Sequence, residues 1–222
     1  MKNLSTPLSI AISFILFFIS NVASAHTVAY DFSEMSNTGI GFVYMKMGFL
    51  HILPLGLDHI LFILGIFLLQ PRLKTIFWQV TAFTVAHSLT LGLAIYGYIK
   101  PVSSVVEPII ALSIVFVAIE NIMTSDLKWW RVIIIFLFGL IHGCGFAGVL
   151  METGLPQNNY LLALLSFNVG VEVGQLSVIL IAYYLFGKWF MHKSWYRNRV
   201  TIPISVCIAL VAFYWTFERI VN

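Results

Sequence analysis

From residue 48 onward, six long apolar stretches alternate with short polar or proline-bearing breaks. They cover residues 48–70, 74–96, 104–123, 131–151, 160–186 and 200–217. Each is close to the ~20 residues an α-helix needs to cross the hydrocarbon core of a bilayer, and the fifth is long enough to tilt. The breaks fall at Gln70-Pro71-Arg72, Lys100-Pro101, Ser125-Asp126 and Leu155-Pro156-Gln157-Asn158-Asn159, where proline and polar residues end helices. The pattern predicts an all-α, polytopic membrane bundle of six transmembrane helices over residues 48–222.

Two segments precede the bundle. Residues 26–47 read as an extended or looped lead-in on the periplasmic side. Residues 1–25 read as a signal peptide: Lys2 supplies the positive start, Leu8 to Ile19 the apolar core and Ala23-Ser24-Ala25 the small-residue cleavage site. An uncleaved anchor helix is the alternative, but the apolar core is short for a span.

Composition narrows the class further. Hydrophobic residues make up 60% of the chain and charged residues 9%, against about 25% charged in a soluble domain. The net charge of +3 does not signal nucleic-acid binding, because the cations gather in loops of one side. With the mature N-terminus outside, the inner loops hold Arg72, Lys74, Lys128, Arg131, Lys188, Lys193, Arg197 and Arg199. The outer side holds Lys46, Lys100 and Arg219. That asymmetry satisfies the positive-inside rule and predicts a bacterial inner-membrane protein with its N-terminus in the periplasm. Cys144 and Cys207 both lie in apolar runs and imply no disulfide framework.

Candidate chemistry sits where the apolar stretches are interrupted. Asp58 and His59 lie in GLDHILFILGIFLL, His87 in VTAFTVAHSLTLGLAI, His142 in FLFGLIHGCGFAGVL and Glu172 in LLSFNVGVEVGQLSV. Ionisable groups in hydrocarbon are costly and mark functional sites. At 1.5 Å per residue, all of them fall roughly 13–18 Å from the outer helix ends, in one layer. His51 and Asp58 would share a face of a continuous helix, unless Pro54 and Gly56 break it and fold His51 inward. Asn168, Glu172 and Gln175 form one polar stripe, and glycines around it and around His142 permit close helix approach.

Imidazoles with one or two carboxylates suit a divalent transition metal such as Ni²⁺, Co²⁺ or Zn²⁺. The expected ligands are His51, Asp58, His59, His87, His142 and Glu172, with Asn168 and Gln175 orienting them or lining a path. Glu107 sits in a capping box at Ser104 and doubles as a candidate acid of the outer vestibule. Glu120 reads as a solvated helix terminus near the inner end, with an exit site as the alternative. His26, as a mature N-terminal residue, would offer an amine and an imidazole for metal capture outside the membrane.

The blocks GFLHILPLGLDHILFILGIFLL, WQVTAFTVAHSLTLGL, VEPIIALSIVFVAIEN, FGLIHGCGFAGVL and LLSFNVGVEVGQL, in that order, resemble the HupE/UreJ family of hydrogenase- and urease-associated membrane proteins. The likeness covers about residues 42–185. It implies an inner-membrane nickel or cobalt permease, or a nickel-supply accessory, rather than an enzyme. It also implies metallochaperones or metalloenzyme maturation factors as partners beside the lipid bilayer. The family's His…Asp-His element falls on His51, Asp58 and His59. Two other chemistries fit the same residues: a metal-dependent intramembrane hydrolase, and a haem-binding electron carrier using His87 and His142.

Overall fold

The computed structural model describes residues 35–153, 156 and 159–221. The expected signal peptide and His26 lie outside the described residues. Among the described residues, seven α-helices of thirteen or more residues follow in order: α1 (Asn37–Ile52), α2 (Leu57–Leu69), α3 (Leu73–Ile95), α4 (Ser103–Met123), α5 (Arg131–Thr153), α6 (Tyr160–Ala182) and α7 (Ile202–Val221). A π-helical turn, Tyr183–Gly187, continues α6, and another, Arg197–Thr201, leads into α7. No strand occurs among the described residues.

The segments from α3 to α7 supply five helices long and apolar enough to cross a membrane. Their bounds agree with the expected stretches to within a turn, because mean hydropathy over ~20 residues needs no tertiary partner to be read. The first expected span differs. It is not one continuous helix but a bent pair, α1 and α2, meeting at 67° across a short break. Neither half reaches ~20 residues by itself, and the pair passes the same length and composition test only when taken together.

The expected looped lead-in is also corrected, since residues 37–47 belong to α1. Ser36 caps the helix by accepting the Gly39 N–H at 3.2 Å, which satisfies one of the unpaired donors of a helix start. The buried residues of α1 are Ile40, Tyr44, Gly48 and Ile52. That spacing of four draws a single stripe down the helix, and the stripe packs on α6.

Small residues let α1 and α6 touch backbone to backbone. A Cβ on Gly48 would overlap the Phe167 carbonyl, and one on Gly170 would overlap the Met45 carbonyl. The two helices run parallel: Asn159 Nδ2 donates to Asn37 Oδ1 at 3.2 Å at their starts, while Gly174 faces Ile52 further along. Helices α3 and α5 pair in the same way, with Gly143 against the His87 carbonyl. In the membrane, where lipid is as apolar as leucine, such close packing drives helix association.

The third tight pair, α4 and α7, is antiparallel and joined by polar groups. Arg131 pairs with Glu120 at 3.3 Å, both nearly excluded from solvent. Arg131 Nη2 donates to Asn121 Oδ1 at 3.4 Å, and Asn121 Nδ2 donates to the Gly65 carbonyl at 2.8 Å and to Ser205 Oγ at 3.2 Å. Glu120 is therefore not a solvated helix end. It belongs to a knot tying α2, α4, α5 and α7 together.

Two sets of substitutions test this packing. Gly48→Leu and Gly170→Leu should each destabilise the purified protein by about 1–3 kcal/mol or more. Gly148→Leu, whose Cβ would meet nothing within 4 Å, should leave thermal unfolding unchanged. Arg131→Met strands a buried carboxylate and should cost about 3–5 kcal/mol in chemical denaturation. Adding Glu120→Leu should restore most of that loss, because the charge to be compensated is gone.

Candidate metal centre

The break between α1 and α2 is where the site begins. Pro54 removes a donor N–H, and the chain turns through Leu53–Gly56 before helix resumes at Leu57. The turn keeps its backbone bonded: Leu53 N–H donates to the Phe49 carbonyl at 2.8 Å and Gly56 N–H to the Ile52 carbonyl at 3.2 Å. Irregular backbone at membrane depth is tolerated when it is paired in this manner. The 67° bend carries His51, in the last turn of α1, onto His59, in the first turn of α2, with ring centres 4.6 Å apart.

His87 joins them from α3, and each of the three offers a ligand nitrogen within 4.8 Å of the other two. His142 comes from α5, its ring centre 5.0 Å from that of His59. His59, His87 and His142 are 4% exposed or less, so each ring nitrogen must find a partner inside the bundle or go without.

The neighbours decide the tautomers. Asn168 Nδ2 donates to the Leu164 carbonyl at 2.8 Å, so its Oδ1 faces His87 Nδ1 at 3.3 Å and requires a proton there. Ser113 spends its one hydroxyl proton on the Ile110 carbonyl at 2.7 Å, so it accepts from His142 Nε2 at 3.0 Å. The Asp58 carboxylate accepts from His59 Nδ1 at 3.1 Å. In all three rings the remaining nitrogen is a bare lone pair. Those atoms, His59 Nε2, His87 Nε2 and His142 Nδ1, are buried without a hydrogen-bond partner among the described residues, as is His51 Nε2.

Aromatic side chains wall the cluster. Phe146 lies 3.9 Å from the His51 ring centre, Phe83 lies 5.0 Å from His142, and Phe62 lies 5.3 Å from His142. They exclude water and fix ring orientation, which strengthens any charge held inside.

The other expected residues are distributed around this core. Asp58 touches His59 but stands outside the group of three converging nitrogens. Glu172 lies on the α3–α6 seam, accepting from Thr81 at 2.6 Å and from Thr84. Gln175 sits beside it, its Oε1 at 3.3 Å from the Thr84 hydroxyl. Glu107 lines a cleft at the start of α4 together with Glu218 and Arg219. Glu120 is engaged by Arg131. Asn168 alone of the α6 stripe reaches a histidine.

Several participants escaped the sequence reading. Ser113 is a lone hydroxyl in an apolar run, and nothing local distinguishes it from a helix-bonding serine. Thr81 and Thr84 precede His87 at helical spacing and could have been read as its polar stripe. Arg219 reads from sequence only as one of the outer-side cations, yet its Nη2 reaches Asp58 Oδ2 at 3.8 Å.

Residues 11–219 match the family described as HupE / UreJ protein. No curated protein and no solved structure matches the chain. Because that match takes in nearly the whole sequence, including every helix that builds the histidine cluster, the chain belongs to the HupE/UreJ family.

Proposed function

We propose that the protein is an inner-membrane permease for a divalent transition metal, Ni²⁺ first and Co²⁺ or Zn²⁺ as the alternatives, with His51, His59, His87 and His142 as the ligands. The observation that carries this reading is the set of four buried ring nitrogens without partners among the described residues, three of them held as lone pairs by the hydrogen bond on the opposite nitrogen. A buried polar atom left unpaired costs about 1–3 kcal/mol, and one ion would draw on His51, His59 and His87, whose ligand nitrogens lie within 4.8 Å of one another, with the His142 ring 5.0 Å from that of His59. Orientation of a ligating imidazole through its other nitrogen is the usual support of metal sites.

Family membership supports the same direction, since HupE/UreJ proteins are associated with nickel and cobalt handling. Nitrogen donors suit these borderline metals, whereas magnesium and calcium require oxygen. Asp58 supplies one negative charge beside the cluster, and Glu172 supplies a second on the α3–α6 seam. Discontinuous helices such as α1 and α2 are a recurrent way of building transport sites in membranes. The membrane potential favours inward movement of a 2+ ion by about 4.6 kcal/mol per 100 mV. Delivery to a metallochaperone or metalloenzyme maturation factor would follow on the inner side.

The test is metal analysis of the purified protein together with labelled-nickel uptake in vesicles. His59→Ala and His87→Ala should abolish bound metal and uptake at unchanged protein abundance. Asn168→Ala and Ser113→Ala, which free a ring without removing a ligand, should weaken metal affinity by about 10–100-fold. Wild-type uptake in His87→Ala would refute histidine ligation. Cleavage of a lipid or peptide without ion flux would instead favour a hydrolase.

A further inference from the structure

A cation belonging to the chain already stands at the point where the histidine cluster meets accessible surface. Asp58 Oδ1 is occupied by His59, through the ring Nδ1 at 3.1 Å and the backbone N–H at 2.9 Å. Its Oδ2 faces Arg219 Nη2 at 3.8 Å. Arg219 arrives from the last turn of α7, donates Nη1 to the Glu107 carbonyl at 3.2 Å and lies over the Trp215 ring. The Asp58 and Arg219 side chains are each 24% exposed, in contrast to the buried rings of His59, His87 and His142. Beside the pair opens a cleft of about 410 Å³ lined by Ser103, Ser104, Glu107, Glu218 and Arg219.

We propose that Arg219 is a tethered cation that sits on Asp58 while the histidine site is empty and moves to Glu107 and Glu218 in the cleft when a divalent ion enters. The proposal rests on the metal-site reading above. A guanidinium does not lose its proton, so it can leave the carboxylate only by moving. Its hold is suited to that. The ionic contact is single and long rather than a two-pronged fork, and the guanidinium's hydrogen bond goes to a backbone carbonyl.

Charge explains both positions. With the site empty, Asp58 and Arg219 cancel, so the carboxylate is not left alone in a low-dielectric surround. A 2+ ion arriving next to a fixed guanidinium would be repelled. Moving the guanidinium to two acids in the adjacent cleft removes that repulsion and keeps the arginine paired. A monovalent ion brings Asp58 no more charge than Arg219 already does, and gains nothing by displacing it. The device thus selects on charge, and Arg219 is a specificity-determining residue rather than a ligand.

The experiment is calorimetric titration of the full-length protein in detergent with Ni²⁺, at one pH and ionic strength. Removing the built-in competitor, Arg219→Gln should tighten nickel binding by about fivefold or more, the lower end of ordinary coupling between sites. Glu107→Gln with Glu218→Gln leaves Arg219 in place but removes its second resting position, and should weaken binding by a similar factor. That weakening should vanish when Arg219→Gln is added.

A residue that merely braced Asp58 would give the opposite sign, with nickel affinity falling in Arg219→Gln. Unchanged or weaker binding in that variant, with melting behaviour intact, overturns the proposal. If Arg219→Gln does not fold, unchanged affinity in the paired glutamate variant overturns it equally. Loss of binding in His87→Ala alongside either result confines the failure to Arg219. Nickel affinity insensitive to His87→Ala would remove the metal-site reading, and this inference with it.

Discussion

An imidazole inside a membrane bundle has two nitrogens, one bearing a proton and one bearing a lone pair, and each must be answered within the protein. In His59, His87 and His142 the protein answers the proton and leaves the lone pair open. The choice is made one bond further out. Asn168 is turned by the Leu164 carbonyl and Ser113 by the Ile110 carbonyl. Each helix backbone thereby decides the chemistry of a ring on a neighbouring helix. Exchanging either partner for a proton donor would reverse the tautomer and close the site.

This arrangement depends on how closely the helices approach. Asn168 reaches His87 across the α3–α6 contact, and His142 on α5 meets His59 on α2. Gly143 against the His87 carbonyl sets the α3–α5 separation, and Gly170 against the Met45 carbonyl sets the α1–α6 separation. A side chain at either glycine would push apart rings that need to share one ion. Packing and chemistry are thus one constraint here, and stability lost at a glycine is also ligand geometry lost.

The bend between α1 and α2 adds what straight helices would not. In a continuous helix His51 and Asp58 would lie on one face, and His51 and His59 would not meet. The 67° break brings the two rings to 4.6 Å and leaves Asp58 facing the accessible side. The same carboxylate then orients His59 with one oxygen and meets Arg219 with the other. One residue links the buried donor set to the surface charge, which is why Arg219 can influence an ion it does not ligate.

Much of this was legible along the chain. The spans α3 to α7 follow from summed hydropathy, and His59, His87 and His142 stand out because each is an ionisable group in an apolar run. The start of α1 is harder to read because Asn37, Thr38, Gly39, Gly41 and Lys46 break up its apolar run before residue 48. The pairing of Glu120 with Arg131, and of Arg219 with Asp58, joins residues far apart in sequence that read singly as surface charges. Hydropathy is a property each residue brings alone, so sequence determined which segments are long and apolar enough to cross a membrane and which polar groups they carry. Whether a ring nitrogen holds a proton or an open lone pair depends on a bond from another helix. Only the tertiary structure decided that.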